Sequence, residues 1–464
     1  MTANKDLTSI SATLFPSLEL GDIRRNRRFS QVAQALAEKP GVSLPEVFPN
    51  PSHYNACMNL FDAEECNHEN ILGAHQEAVL NRMEAHAGPI LLLHDGTCMD
   101  FSGHTSLEDE LGPIGNGGGR GWVAHQTIAV DPSSRMVFGL ISQILHVRKP
   151  APKKMALAAR RARENRESRL WVKGLDAIGP TPENRQWIDV ADRGADIFEF
   201  LQTLQDRKRR FVVRSSSNRA MGSGPTDEKA TELLHESLRS MKAMATWELE
   251  VPGRAIKPTR KAILSAVSQK VTLRPPHVRK GEYRLESLEL TAVRVWESKP
   301  PKGTKALEWI LLTSEVADSP ESLKKVCDWY SCRMQIEEYH KVQKTGVGIE
   351  RCQVQSAKKM AAFIALMSVV AVALLNARLA ARDPENSAKP AETLIPRAWI
   401  IVLATLREKS SEGWTVSDFW VNLAKLGGYF KNPKRHPPGW ITLWRGWKTI
   451  QPVIGYHLAI QKMA

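Results

Sequence analysis

The stretch Trp329–Gly346, WYSCRMQIEEYHKVQKTG, crowds Trp, Arg, two Tyr, two Glu, His and two Lys into one segment with no Pro and no Gly before its end. It reads as a helix that stops at Thr345-Gly346. With Tyr330 set at zero and roughly 100° per residue, Arg333 falls near −60°, Glu337 near −20°, Lys341 near +20° and Lys344 near −40°. One arc of roughly 80° thus carries a phenol, a guanidinium, a carboxylate and two ammoniums. Pairing at i,i+4 accounts for Arg333–Glu337 and Glu337–Lys341 as surface salt bridges. It does not account for Tyr330 and Lys344 on the same face. Of the adjacent Glu337 and Glu338, that face selects Glu337 and turns Glu338 about 100° away.

The whole chain has 464 residues, which suits about two or three domains. Hydrophobic residues make up 42%, enough for a real core. Charge is unbalanced, with 64 Lys+Arg against 50 Asp+Glu and a net charge of +14. Such a surplus favours a polyanion as partner, either nucleic acid or an anionic membrane surface. The six cysteines (Cys57, Cys66, Cys98, Cys327, Cys332, Cys352) form no C-x-x-C pair and read as reduced thiols. No second ligand pair accompanies Cys66 and His68 at zinc spacing. The opening residues do not read as a signal peptide, and a cytoplasmic location is expected. The apolar run MAAFIALMSVVAVALLNARLA from Met360 is Ala-rich, interrupted by Ser368 and Asn376, and reaches a charge at Arg378. It reads as a buried central helix in preference to a membrane span.

Residues 1–80 read as a small basic helical domain, with GDIRRNRRFSQVAQALAEKPG stopped at Pro40-Gly41. From Pro89 the character changes. PILLLHDGT, WVAHQTIAVD and MVFGLISQILHV read as strands, with DPSSR turning between the last two. The basic stretch RKPAPKKMALAARRARENRESRLW reads as an exposed loop passing into a helix. RQWIDVADRGAD, IFEFLQTLQD and RRFVVRSS follow as strand, helix and strand. Strands followed by alternation indicate an α/β layer fold with a mixed sheet. From about Ser216 to Ser319, period-two segments separated by Gly and Pro predict an antiparallel β insertion. Helices return at SPESLKKVCDWY, with Ser319 as N-cap and Pro320 at the first helical position. After the Pro-rich break DPENSAKPAETLIPRAW the remainder reads as a Trp-rich, basic helical domain.

Asp95 in LLLHDG and Asp192 in IDVADRG each close an apolar strand. Carboxylates at strand carboxyl ends face the crevice where open α/β sheets bind ligands. Paired there, they repel unless a cation holds them, and Mg²⁺ takes carboxylates together with substrate phosphate oxygens. Taken singly, each Asp also fits a plain strand-to-turn boundary.

The pattern Tyr330, Arg333, Glu337, Lys344 resembles the YREK signature of bacterial cut-and-paste DDE transposases, and more narrowly the transposon-five (insertion-sequence-fifty) type. The resemblance covers nearly the full chain through landmarks in order: LGDIRRNRR, DGT, RGWVAH, DRGAD, FVVRS, KALEWILLTSE and AKLGGYFKNPKRHPPGWITLWRGWKTIQ. It implies an α/β, RNase H-like catalytic core over residues 81–380, with the antiparallel β insertion at about 216–319. Flanking it would be an N-terminal helical DNA-binding domain (1–80) and a C-terminal helical domain for dimerisation and DNA contact (381–464). The implied catalytic and metal-binding triad is Asp95, Asp192 and Glu337, serving two Mg²⁺ (or Mn²⁺) ions about 3.5–4 Å apart. Water frees a 3′-OH at the transposon end, that hydroxyl attacks the opposite strand to give a hairpin, a second water opens it, and the 3′-OH joins target DNA.

The remaining roles follow from the same resemblance. Arg333 and Lys344 would hold phosphates beside the scissile bond, Tyr330 would donate to a neighbouring one, and His340 and Lys341 are weaker candidates. Trp309 occupies the place of an aromatic that stacks on a flipped base. Arg28 and Arg214 match DNA-contacting arginines. The expected partners are double-stranded DNA, both inverted-repeat ends and target, and a second copy of the chain in a synaptic homodimer, with no membrane and a nucleoid-associated location. Three positions depart from the family pattern: Met334 stands in place of Trp, Gln353 in place of a DNA-contacting Arg, and Asn59 in place of an end-contacting Arg. GNGGGRGW lacks the G-K-[ST] ending of a P-loop and reads as a loop near the site. The alternatives are a domesticated, catalytically silent DNA-binding protein of the same fold and another RNase H-like nuclease.

Overall fold

The computed structural model describes residues 13–107, 109–149, 155, 163–222, 232–251, 260–275, 286–382, 384–433 and 438–463. Much of the basic stretch expected to pass from loop to helix, residues 150–154 and 156–162, lies outside the described residues.

Ten strands form one mixed sheet. They are β1 (Ile90–Asp100), β2 (Gly112–Ile114), β3 (Gly119–Val130), β4 (Val137–His146), β5 (Trp187–Ala191), β6 (Arg210–Arg214), β7 (Ala245–Val251), β8 (Arg260–Leu273), β9 (Leu288–Glu297) and β10 (Glu308–Thr313). The order is β2-β3-β1-β5-β6-β10-β9-β8-β7, with β4 also paired to β3. β1 runs antiparallel to β3 and parallel to β5, and β5 runs parallel to β6. This is the RNase H-like arrangement expected from the motif order. β7–β9 are antiparallel as expected but do not stand apart. Through β10, which pairs antiparallel with β6, they continue the same sheet. The physical reason is that β6 would otherwise end the sheet with a row of unpaired backbone groups.

The helices are α1 (Ile23–Glu38), α2 (Pro51–Asp62), α3 (His68–Glu84), α4 (Leu170–Ile178), α5 (Phe198–Asp206), α6 (Leu234–Ser240), α7 (Pro320–Ser331), α8 (Met334–Lys341), α9 (Ala357–Arg382), α10 (Arg397–Leu406), α11 (Val416–Leu426) and α12 (Trp440–Met463). Asp22 caps α1 by accepting from Arg24 N at 2.6 Å, and Asn67 caps α3. Ser319 caps α7 with Pro320 at its first position, as its sequence requires. The boundaries drawn at 80/81 and 380/381 both fall inside helices, α3 and α9. The N-terminal helices share one apolar cluster with the sheet and α9, from Phe29 and Leu60 through Leu91 to Val370. The C-terminal helices keep a separate cluster around Leu403, Phe419 and Ile450.

α9 contains the apolar run expected to be a central helix. Its Ala357–Leu379 segment is long and apolar enough to cross a membrane, yet 72% of it is buried inside the fold. Burial on every side explains its lack of a polar face.

Two buried polar contacts hold the layers in register. In the sheet, Asp189 of β5 accepts from His94 Nε2 of β1 at 2.8 Å and from Arg209 Nε at 2.7 Å, with Arg209 Nη2 at 2.9 Å. All three side chains are almost fully excluded from water. A buried pair of this kind resists loss of one partner, because the other charge stays behind unpaired. Asp189→Asn should lower unfolding free energy by about 3–5 kcal/mol in urea titration.

At the helical layer, His75 of α3 links the N-terminal segment to β4. Its Nδ1 donates to Leu14 O at 2.9 Å, and its Nε2 accepts from Leu140 N at 3.3 Å. Burial holds the ring neutral and pulls its pKa down to about 4. The unfolded chain protonates near pH 6.5, so this stability is whole above that value and lost as pH falls toward 4. Urea titration should show a loss on the order of 3 kcal/mol across that window, absent in His75→Gln.

Candidate active site

Asp95 does not end its strand, as its sequence suggested. β1 continues to Asp100, with Asp95 opposite Gln126 of β3. The parallel neighbour β5, however, stops at Ala191, opposite His94. The crevice therefore opens beside Asp95 even though β1 runs on. Asp192 follows Ala191 directly and caps a 3₁₀ turn, Arg193–Ala195, by accepting from Gly194 N at 2.7 Å. A Cβ at 194 would lie 2.9 Å from Asp192 Oδ1 and 3.3 Å from Trp171, so a side chain there would push the Asp192 carboxylate aside.

The stretch that opened the reading is not one uninterrupted helix. α7 ends at Ser331, Cys332 and Arg333 form a tight turn, α8 runs Met334–Lys341, and Val342–Gly346 widens into a π-turn. Arg333 N bonds to Tyr330 O at 3.0 Å and Ile336 N to Arg333 O at 3.2 Å, the i→i+3 pattern that tightens a helix. The π-turn puts Gly346 where only a glycine fits on the facing chain. A Cβ on Gly41 (φ +72°) would sit 2.5 Å from Gly346 O and 2.6 Å from Trp444.

Arg333 is the bridge of the site. Its Nη2 donates to Glu337 Oε1 at 2.5 Å and its Nη1 lies 3.5 Å from Asp95 Oδ2. Burial raises the Asp95 pKa to about 7, with the Asp192 charge adding to the rise and Arg333 opposing it. Glu337 contributes a smaller push in the same direction as Asp192. Asp95 therefore feels both of the other carboxylates.

The other expected residues divide into groups. Tyr330 is buried, contacts Trp309 ring to ring at 6.3 Å and lies within electrostatic reach of Arg333 and Arg214. Lys344 donates to Cys98 O and pairs with Glu350 at 3.2 Å, on the far stretch of β1. His340 Nδ1 is 3.9 Å from Asp95, but burial, then Lys344 and Arg333, pull its pKa down to about 3, so the ring is neutral. Lys341 turns away and pairs with Glu338 at 3.1 Å. Arg28 lies on α1, outside this group. Met334 is exposed beside Arg333, and Gln353 and Asn59 are exposed elsewhere. The glycine hairpin joins β2 to β3, with Gly115 at φ +55° and Gly117 at φ +94°.

Residues that sequence reasoning missed lie behind this face. Asp196 accepts from Ser216 N and Ser217 N at 2.7 and 2.8 Å and pairs with Arg219 at 2.6 Å, clamping the loop that follows Arg214. Asp189 looked like one polar letter in an apolar strand. Its partner Arg209 is the third cation of RKRR, twenty residues further on.

An RNase H-like sheet with acidic residues at the carboxyl edge of neighbouring parallel strands, and a third on a later helix, defines a class of nucleic-acid-processing enzyme. A family model described as Transposase DNA-binding matches residues 9–66, and one described as Transposase DDE domain matches residues 86–374. The chain belongs to the DDE transposase family. It is a DNA-binding transposase, and its family implies dependence on a divalent metal.

The donor set fits such an ion. Asp95, Asp192 and Glu337 offer hard oxygens, and a cation would relieve the repulsion that lifts Asp95. Among the described residues no three His, Cys, Asp or Glu side chains are already gathered closely enough to hold one. Gly194→Ala should displace the Asp192 carboxylate and slow DNA strand cleavage by at least about tenfold, while circular dichroism shows an unchanged fold.

Proposed function

We propose that this chain is a cut-and-paste transposase of the YREK, transposon-five type, which frees its element by nicking, hairpin formation and hairpin opening, then joins the 3′ ends to target DNA. The observation that carries the reading is Arg333 lying between Asp95 and Glu337, with Asp192 acting on the same Asp95 carboxyl. Asp95, Asp192 and Glu337 hold the metal, two Mg²⁺ or Mn²⁺ ions. When bound, these ions supply Lewis-acid stabilisation of the attacking and leaving oxygens.

The chain's own groups do the rest. Arg333 exchanges its carboxylate partners for a phosphate beside the scissile bond, where its planar fork binds two oxygens. Lys344 supplies a second cation from its place near β1, and Tyr330 donates to a neighbouring phosphate. Trp309, beside Tyr330, receives the base extruded as the duplex end folds into a hairpin. Arg214, the last residue of β6, lies within reach of Tyr330 just ahead of the clamped loop. Arg28 contacts the transposon end from α1. His340 and Lys341 act as secondary phosphate contacts only after local rearrangement. The N-terminal helices up to about residue 80 read the end, residues 81–380 catalyse, and the C-terminal helices pair two copies. Val453, Tyr456 and Ile460 leave an exposed apolar stripe on α12 that suits this pairing. Action on DNA places the protein with the bacterial nucleoid.

A duplex carrying the element's own terminal repeat, incubated with protein and Mg²⁺, should be nicked, then form a hairpin, then a blunt end. Asp95→Ala, Asp192→Ala and Glu337→Ala should each lower nicking by at least about 1,000-fold without loss of end binding in gel shift. Parental cleavage by any of the three overturns the assignment. Trp309→Ala should nick normally and accumulate nicked, unfolded ends, slowing the hairpin step by about tenfold or more.

A further inference from the structure

Glu337 and Glu338 stand side by side on α8, both able to bind a cation, yet they have opposite fates. Glu337 meets Arg333 on the side of Asp95. Glu338 points toward α9, where Arg378 Nη1 donates to its Oε2 and Lys341 Nζ approaches Oε1 at 3.1 Å. The Arg378 side chain is 8% exposed. Its guanidinium lies 4.9 Å from the ring centroid of Trp440, the first residue of α12. Glu338 of α8, Arg378 of α9 and Trp440 of α12 thus stack in a chain of contacts, with Arg378 in the middle.

The other anchors of α8 are neutral. Tyr339 donates to Ser368 O at 3.1 Å, and Gln343 donates to Tyr339 and to Ser368 Oγ at 2.9 Å. They seat the helix on α9 but cannot discriminate between two neighbouring carboxylates. A glutamate has three side-chain torsions, so a 100° separation on the helix does not by itself keep Glu338 from a divalent cation. A buried guanidinium does, because breaking its pair strands a charge. Trp440 adds a cation–π contact that holds the guanidinium in place.

We propose that Arg378 is a positioning residue that selects Glu337 as the metal-binding glutamate by sequestering Glu338, with Trp440 of the C-terminal helix seating it. The idea rests on the function proposed above. It makes the C-terminal region part of the catalytic apparatus through a defined contact.

The test compares the parent, Arg378→Met, Glu338→Gln and the double variant. Single-turnover nicking of the terminal-repeat duplex is measured alongside duplex affinity and Mn²⁺ binding by electron paramagnetic resonance. Arg378→Met should slow nicking by about 100-fold, hold duplex affinity within about twofold and shift Mn²⁺ half-saturation at least about threefold. Adding Glu338→Gln should restore both rate and Mn²⁺ binding, because the competing carboxylate is gone. A double variant as slow as Arg378→Met, or a parental rate and Mn²⁺ affinity in Arg378→Met, overturns the proposal. If circular dichroism shows Arg378→Met unfolded, Trp440→Leu makes the same comparison. Slowing relieved by Glu338→Gln supports the selection, and a parental rate overturns it. A parent that binds duplex but never nicks overturns the transposase mechanism instead, and the Mn²⁺ series still decides the role of Arg378.

Discussion

The structure depends on one buried carboxylate, Asp189. It sits in the short strand β5 and accepts from His94 in β1 and from Arg209, just before β6. These contacts set three strands in register around a charge that has no access to water. Such a cluster is costly to bury and costlier to break, so it specifies one arrangement even where it adds little net stability. His94 precedes Asp95, and Asp189 lies three residues before Asp192. The same contact that registers the strands also fixes the two strand-borne acids relative to each other.

The third acid arrives from far along the chain and by another device. Its helix is cut into α7 and α8 by a tight turn and finished by a π-turn. Such irregular turns recur at functional sites because they re-aim side chains that a regular helix would spread out. Here the break brings Arg333 to both Glu337 and Asp95, while Tyr339 and Gln343 lock the opposite side onto α9. The long buried helix is thus the floor on which α8 is mounted. Glycine at 41 lets the N-terminal helical region, the π-turn and Trp444 meet without a side chain between them.

The local signals were strong wherever chemistry forced the residue type. The cap at Ser319, the alternation in β7–β10 and the all-round apolar α9 could be read from the chain, since each depends on neighbours a few residues away. The face of Tyr330, Arg333, Glu337 and Lys344 was legible for the same reason. Lys341 belongs to that arc by arithmetic, yet pairs with Glu338, because i,i+3 and i,i+4 neighbours are both within reach on α8 and Glu337 is taken by Arg333. His340 looked like a cationic contact and is instead a buried neutral ring. The strand after Asp95 was hidden because Gly96 and Thr97 look like a turn until β3 supplies their hydrogen-bond partners.

What the sequence by itself determined is the class of the fold and the order of the elements that carry the candidate acids. Periodicity, caps and motif spacing are local properties, and the family signature is written in them. Only the tertiary structure decided that β7–β10 extend the central sheet, that Asp189 joins His94 to Arg209, and that Arg378 claims Glu338 under Trp440. Each of these contacts is made between residues tens of positions apart or more, or by an edge that must be paired. Their formation is set by burial and by the cost of an unpaired charge, which no local pattern encodes.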